Sequence, residues 1–299
     1  MRFEDLEAFL AVSDSGSFSA AADALHITQP AMTRRIQQLE SRLDARLFDR
    51  VGKRVHLTDA GQLLAPRARE MLTGLADARR AIGNLEAQIG GTLKLATSHH
   101  IGLHRLAPVL KQFSRSYPDV QLDIRFEDSE AAHDLVRHGD SELAVVTLNP
   151  AGEPDLSTTQ LWQDELCFVC AIDHPLSTQA NLDLAKLAAF PVILPGLSTY
   201  TGRIVAQLFE SAAIPLTATL STNYLETISM LVSIGLGWSV LPRSMTSELL
   251  VLNTRAPAIG RTLGCVTNPQ RTLSSAANAF IEVLVRTSDP SPESQRPPV

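Results

Sequence analysis

Three cysteines, Cys167, Cys170 and Cys265, are too few and too odd in number for a disulfide framework. Cys167 and Cys170 form a C-x2-C pair inside the apolar run 166–171, which reads as a buried strand. Side chains three positions apart on a strand point to opposite faces, so the pair belongs to a core and not to a metal or redox site. No stretch approaches the ~20 uninterrupted apolar residues of a membrane helix. The opening Met-Arg-Phe-Glu-Asp-Leu-Glu lacks the charged-then-apolar order and small-residue cleavage site of a secretory leader. These absences predict a cytoplasmic protein with no membrane partner. Catalytic signatures are missing too: there is no G-x-S-x-G elbow, no phosphate-cradling glycine loop, no metal-ligand cluster and no Ser/His triad pattern. Neither an enzyme nor a bound cofactor is expected.

What is present suffices for two or three hydrophobic cores, since 44% of the 299 residues are hydrophobic. The formal charge of −6, from 26 Lys+Arg against 32 Asp+Glu, hides a local excess of the opposite sign. Between Arg34 and Arg54 there are seven basic residues (34, 35, 42, 46, 50, 53, 54) against three acids (Glu40, Asp44, Asp49), a balance of +4. Such a patch inside an acidic chain is an electrostatic footprint for phosphates.

The patch sits in a helical context. Phe3, Leu6, Phe9 and Leu10 fall at helical spacing to about Ser13, and the Ser-Gly-Ser at 15–17 breaks that helix. The next segment, 18–25, is mostly small residues, which lets another helix approach closely, as in a helix-turn-helix. Thr28 is placed to cap a third helix, with Pro30 tolerated in its first turn. Met32, Ile36, Leu39 and Leu43 then repeat as a buried stripe. Opposite them lie Pro30, Thr33, Arg34 and Gln37, with Ala31 and Gln38 at the margin: a face of donors for base edges and phosphates in a major groove. The segment 54–58, after Gly52, reads as a wing hairpin.

The ordered pattern Phe18-Ser19-Ala20-Ala21-Ala22, Leu25, Thr28-Gln29-Pro30-Ala31, Thr33-Arg34, Ile36, Leu39-Glu40, Leu43, Leu47-Phe48, Arg50, Leu57-Thr58 and Ala60-Gly61 closely resembles the LysR-type transcriptional regulators. Arg35 stands where that family more often has Gln, and Thr33 where it more often has Ser. The resemblance implies a winged helix-turn-helix over 1–58. Its contacts to double-stranded promoter DNA would come from Thr28, Gln29, Pro30, Ala31, Thr33, Arg34, Arg35, Gln37 and Gln38 on the reading helix, and from Arg50, Lys53 and Arg54 on the wing.

From Leu64 the apolar positions Leu64, Ala68, Met71, Leu75, Ala78, Ile82, Leu85 and Ile89 alternate spacings of four and three, a heptad seam. So narrow a stripe predicts pairing with another helix, and the resemblance supplies the same helix of a second copy, in a homodimer or homotetramer. This linker spans 59–90, with a kink expected near Leu63 because of Pro66. Gly90-Gly91 is expected to end the helix and act as a hinge.

Beyond Gly91 strands and helices alternate: strands near 93–97, 120–126, 143–147, 166–172, 192–194, 217–220, 238–241 and 263–267, and helices near 103–113, 130–138, 203–211, 225–233 and 273–286. The alternation predicts an α/β domain with a mainly parallel sheet. It resembles the periplasmic-binding-protein-like effector domain of the same family, notably in the run Gly235-Leu236-Gly237-Trp238-Ser239-Val240-Leu241-Pro242. The expected division is subdomain I, 91–161 and 267–287, and subdomain II, 162–266, joined by crossing strands around a cleft. The tail 288–299 lacks apolar periodicity and is expected to be disordered.

In open α/β sheets ligands bind beyond the carboxyl ends of strands. Those ends point to Ser98, His99, His100, Thr147, Gly196, Ser198, Thr199, Tyr200, Thr201, Asn223 and Tyr224 as effector-binding residues. Ser98 and Thr199 each precede a helix whose free amides favour an anion, or else simply cap it. The expected effector is a small carboxylate-bearing metabolite. His99, His100 and His104 have no nearby Cys or paired carboxylate and read as ordinary polar histidines. The resemblance adds RNA polymerase as a partner; the alternative function is a solute-binding or transport component on the same sensor fold.

Overall fold

The computed structural model describes residues 2–51, 54–85 and 88–288, in two compact units that divide between Gly83 and Asn84. Lys53 and the expected tail beyond Ser288 lie outside the described residues.

The first unit runs α1 (Phe3–Ser15), α2 (Phe18–Ala24), α3 (Gln29–Leu43), the antiparallel hairpin β1 (Phe48–Val51) and β2 (Arg54–Leu57), then α4 (Asp59–Gly83). Gly16 ends α1 at φ +62°, a left-handed conformation that glycine adopts without strain. Ser17 then opens α2 by accepting from the Ala20 amide at 3.3 Å. Ala21 and Ala22 are fully buried, so α2 approaches its neighbours as its small residues predicted. Phe9 and Phe18 both pack on Phe48, with ring centroids 5.3 and 5.8 Å away, which welds the hairpin to the helices.

The predicted stripe on α3 is buried at Met32, Ile36 and Leu39 but not at Leu43, which is 40% exposed. Leu43 is the last residue of α3, and Asp44 turns the chain away in a left-handed conformation. The seam on α4 is also corrected. Ala68 is fully buried and Leu64 half-buried in the unit's own core, while Met71 and Ile82 stand exposed. The helix runs on through Pro66 and stops at Gly83, short of the expected Gly90-Gly91. A Gly-Asn sequence disfavours helix continuation, and Asn84 is pinned, donating to the Leu273 carbonyl at 2.8 Å and accepting from the Ser275 amide at 2.6 Å. Leu85 and Ile89 therefore lie beyond the helix, and Ile89 packs against the core of the second unit.

The second unit contains β3 (Gly91–Thr97), a helical stretch made of α5 (His99–Ile101), a π-helical turn (Gly102–Leu106) and α6 (Ala107–Ser116), then β4 (Val120–Phe126), α7 (Ser129–His138) and β5 (Leu143–Thr147). The chain continues through β6 (Ser157–Cys170), α8 (Leu184–Ala188), β7 (Ile193–Leu194), α9 (Tyr200–Ser211), β8 (Leu220–Ser221), α10 (Leu225–Ser233), β9 (Ser239–Pro242), β10 (Leu250–Val251), β11 (Ile259–Thr267) and α11 (Ser275–Ser288). The large sheet has the order β10-β6-β11-β5-β3-β4, with β9 also on β6. It is mixed, not mainly parallel: β4-β3-β5 are parallel, whereas β11 pairs antiparallel with both β5 and β6. The difference arises because β6 and β11 are the connections between the two halves, and each runs back through the sheet.

β6 and β11 are long enough to serve both halves. The segment 263–267 of β11 lies between β5 and the start of β6, while Ile259 pairs with Leu166 further along. Their register shifts between Leu263 and Gly264. One half gathers its core around Leu93, Phe113 and Phe280; the other around Phe168, Phe209 and Trp238. Cys167 and Cys170 enter two different apolar clusters, as the strand reading of the C-x2-C pair requires. Burial pushes the Cys170 thiol up to about 11, away from reactive thiolate character.

Candidate functional site

Two places in the chain gather function-bearing side chains. In the first unit, Thr28 caps α3 by accepting from the Ala31 amide at 3.3 Å, with Pro30 in the first turn. The helix presents Gln29, Pro30, Arg34, Gln37 and Gln38 to solvent on one side, with Ala31, Thr33 and Arg35 half-buried beside them. Helical spacing put Pro30, Thr33, Arg34 and Gln37 on this face with Ala31 and Gln38 at its margin; the structure exposes Pro30, Arg34 and Gln37 as expected, but also exposes Gln38 and leaves Thr33 half-buried. Arg35 spends part of its donor capacity on the Glu4 carbonyl of α1, at 3.4 Å. Arg42, counted in the basic patch, is held by the buried Asp5 carboxylate at 2.9 Å. Part of the +4 balance is thus used internally, to lock α3 against α1.

The wing is tied to the same frame. The Leu47 amide donates to Glu40 Oε1 at 2.8 Å, the Thr58 hydroxyl to the Arg46 carbonyl at 2.6 Å, and the Val55 amide to the Gly16 carbonyl at 3.3 Å. Arg50 and Arg54 lie on its two strands. A Cβ at Gly61 would collide with the Leu47 carbonyl, so only glycine lets α4 start against the wing.

In the second unit a cleft of about 380 Å³ opens between the two halves of the sheet. Nine of the eleven residues expected at the effector site line it: Ser98, His99, His100, Thr147, Thr199, Tyr200, Thr201, Asn223 and Tyr224. Gly196 and Ser198 do not. They shape the loop instead: the Gly196 amide donates to Asn223 Oδ1 at 3.0 Å, and the Ser198 carbonyl accepts from Arg203 at 2.5 Å. The lining also includes Phe126, Glu127, Asp128, Ser129, Glu130, Ala131, Pro195, Leu225 and Arg261, which the sequence reading missed. Most of these follow the carboxyl end of β4, so the strand-end rule pointed to them had it been applied there. Arg261 carries no such signal, because it sits inside β11.

The two helix N-termini in the cleft differ. At α9 the Thr199 hydroxyl accepts from the Gly202 amide at 3.0 Å and donates to the Gly196 carbonyl at 2.7 Å, so it is a cap. The Tyr200 amide is taken by the protein's own Glu130 carboxylate, which also pairs with Arg203 at 3.6 Å. Burial holds Glu130 above its ordinary carboxylate value. At α5, by contrast, Ser98 makes no side-chain cap. An anion is already supplied from within at α9; at α5 no side chain among the described residues caps the helix start.

Several contacts cross the cleft. Asn223 donates to Asp128 at 2.5 Å. The Tyr200 hydroxyl meets His133 Nδ1 at 3.0 Å and Glu153 at 3.1 Å, and burial together with Glu153 pushes its pKa up. Arg261 is buried; its Nε and Nη2 donate to Asp164 at 3.0 and 2.9 Å, and its Nη1 to Thr201 at 3.0 Å. Arg105 reaches the same Asp164 carboxylate at 3.2 Å. His99 packs edge-on against Phe126 and Tyr224, with centroids 6.0 and 5.6 Å away.

The histidines have a partner that the sequence concealed. Glu226, 122 residues beyond His104, lies 3.2 Å from His104 Nε2 and 3.3 Å from His100 Nδ1. Burial pushes His100 down to about 4, so its ring is neutral near pH 7.

Comparisons with known proteins agree with this geometry. The family description "Bacterial regulatory helix-turn-helix protein, lysR family" matches residues 3–62, and "LysR substrate binding domain" matches residues 86–289. A probable RuBisCO transcriptional regulator from Nostoc sp. is 31% identical over 296 residues, covering 94% of this chain and 87% of that protein. A helix-turn-helix-type transcriptional regulator from Azotobacter vinelandii is 56% identical over 108 residues, 36% of this chain and 75% of that protein. Among solved structures, CbnR, a LysR family transcriptional regulator, shares the fold at a TM-score of 0.66 and 21% identity, over 97% of this chain and 100% of that one. The effector-binding domain of QuiR in complex with shikimate matches 67% of this chain and 97% of that one, with a TM-score of 0.60 and 21% identity. No helix among the described residues is long and apolar enough to cross a membrane. With both of its units matched by family models, the chain belongs to the LysR family: it is a transcriptional regulator with a helix-turn-helix DNA-binding domain and an effector-binding substrate domain.

Proposed function

We propose that this regulator reads promoter DNA with the exposed face of α3 and answers to a small carboxylate-bearing metabolite in the cleft. On the DNA side, Gln29, Pro30, Arg34, Gln37 and Gln38 meet base edges and the nearest phosphates. Thr28, Ala31, Thr33 and Arg35 set the helix's approach, and the wing residues Arg50, Lys53 and Arg54 grip the backbone. Arg35 acts in part by anchoring α3 to α1, which gives a physical role to a position where the family more often has Gln. The protein works as a dimer or higher oligomer through the part of the seam on α4 that its own core leaves uncovered, the exposed Met71, Ala78 and Ile82 with the half-buried Leu75. Its place of action is the cytoplasm, at promoters engaged by RNA polymerase.

The observation that carries the effector reading is the uncapped helix start at Ser98, in the cleft that Arg261 also lines. An anionic group there meets the free first-turn amides of α5, the positive end of a helix dipole and a guanidinium. At about 380 Å³ the cleft lies at the lower end of ligand pockets, which suits a small metabolite. The shikimate bound to QuiR, a carboxylate with hydroxyl groups, is of the same class. A thermal-shift screen of the full chain tests this, because a ligand that binds only the folded form raises Tm. Carboxylates should raise it, and Ser98→Pro with Arg261→Gln should abolish the effect. If neutral or cationic compounds raise it and no carboxylate does, the reading is wrong. Footprinting at moderate salt tests the DNA side; equal protection of random DNA and of the protein's own promoter region would refute it.

A further inference from the structure

His100, His104 and Glu226 bring three ligand atoms within 4.8 Å of one another. We propose that they form a binding site for a divalent first-row transition metal ion of the zinc class, held between the two halves of the effector domain. This inference is independent of which effector fills the cleft.

The spacing is the first reason. The two contacts to Glu226 Oε1 measure 3.3 and 3.2 Å. A hydrogen bond from an imidazole to a carboxylate is ordinarily about 2.7–2.9 Å. Zinc bonds of about 2.0–2.2 Å in a tetrahedron place neighbouring ligand atoms about 3.3 Å apart. The distances fit the edge of a coordination polyhedron better than a pair of strong hydrogen bonds.

The unsatisfied polar atoms are the second. His100 is 4% exposed, and its Nε2 has no hydrogen-bond partner among the described residues; the same holds for the buried Oε2 of Glu226. A hydrogen-bonded bridge through Oε1 alone leaves Oε2 orphaned, at a real cost in a buried place, whereas an ion held by both carboxylate oxygens engages it; His100 Nε2, across the ring from the ligating Nδ1, stays unpaired in either case. A cation between the residues makes use of the carboxylate charge and of Nδ1 without asking one oxygen to satisfy two rings.

The third is the backbone. His100 and His104 stand at i and i+4 on a stretch whose middle, Gly102–Leu106, is a π-helical turn. Such turns recur at functional sites, and this one brings the two rings to 4.7 Å between centroids.

Two imidazoles and one carboxylate select zinc, cobalt, nickel, copper or iron over calcium and magnesium, which require all-oxygen shells. The histidines belong to the first half of the domain and Glu226 to the second, so a bound ion ties the cleft together. Arg261 and Arg105 share one Asp164 carboxylate nearby, which leaves a positive charge that keeps the affinity moderate and the ion exchangeable.

The test uses tag-free, metal-stripped, full-length protein titrated with Co²⁺, read by the visible d–d band of the bound ion and by its displacement with Zn²⁺. One ion per chain is expected, with a higher Tm. Glu226→Gln, which preserves shape, and His104→Gln, at a half-exposed position, should each weaken binding ~10-fold or more. His56→Gln, a control in the wing, should leave it unchanged. Mg²⁺ should give no shift. The proposal is overturned if the wild-type protein shows no saturable band, or if both cleft variants, folded by circular dichroism, bind Co²⁺ as tightly as the wild type.

Discussion

Replacing Arg261 by Met should destabilise the effector domain by an amount that can be worked out from its surroundings. Asp164 is 3% exposed and receives three N–H donors: two from Arg261, at 3.0 and 2.9 Å, and one from Arg105, at 3.2 Å. Breaking a buried ion pair from one side costs about 3–5 kcal/mol, because the other charge is left without compensation. Arg105 still reaches Asp164, which puts the loss at the lower end, about 3 kcal/mol. In a domain of this size each kcal/mol is worth about 2–4 °C, so Tm should fall by about 6–12 °C. Both tryptophans, Trp162 and Trp238, lie in the second unit, so their fluorescence during guanidinium unfolding of the full chain reports that unit alone. The double variant Arg261→Met with Asp164→Leu should recover at least half of the loss, since a matched apolar pair no longer buries a lone charge and the half-exposed Arg105 turns to solvent. A loss below about 1 kcal/mol for the single variant, or a double variant no more stable than the single, would refute the reasoning.

Other outcomes follow from the same structure. Arg34→Ala should weaken binding to the promoter by about 1–3 kcal/mol in a fluorescence-anisotropy titration at fixed salt; unchanged affinity would remove Arg34 from the reading face. Ile82→Asp should shift the protein towards monomer in light scattering while Tm of the first unit stays put. Ala68→Asp, in the core, should unfold that unit instead. His133 is buried and held below the ordinary histidine value by burial, opposed by its bond to Glu153. Its folded form binds fewer protons than the unfolded chain, so stability is full above about pH 6.5 and declines as pH falls through the folded pKa. His133→Asn should flatten that decline in Tm measured from pH 7.5 to 5; an equally steep variant would count against it.

Local rules carried much of this structure. β4 and β5 occupy the residues that apolar runs and turn signals marked, and α3 buries Met32, Ile36 and Leu39 as its periodicity required. The errors lie where tertiary context decides. The first half of β6, from Ser157 to Glu165, is mostly exposed and polar, so no apolar pattern announces a strand there. The α4 seam looked continuous because a heptad count cannot tell an intramolecular partner from an intermolecular one; Ala68 has the former and Ile82 is left open. In the cleft, strand ends revealed most of the lining, because the chain has to turn there. Glu130 at the start of α9, Arg261 within β11 and Glu226 beside the histidines come from 70, 60 and 122 residues away from Tyr200, Thr201 and His104, and no spacing rule reaches that far.

The antiparallel pair of β6 and β11 constrains how the effector domain moves. A two-stranded ribbon laced by backbone hydrogen bonds resists stretching and sliding, because either would break several bonds at once, but it yields to twist. The stretch where the two strands pair only with each other, Gly260–Thr262 of β11 against Gln163–Glu165 of β6, has the fewest neighbours to resist that twist, and it ends at the register shift at Leu263/Gly264, where β5 joins β11. A Cβ at Gly264 would strike the Thr159 carbonyl on the facing strand, so the position admits only glycine. Closure of the cleft is therefore expected as rotation about this ribbon, and a single methyl group at Gly264 would force β11 off β6 at the inner end of the stretch that carries it.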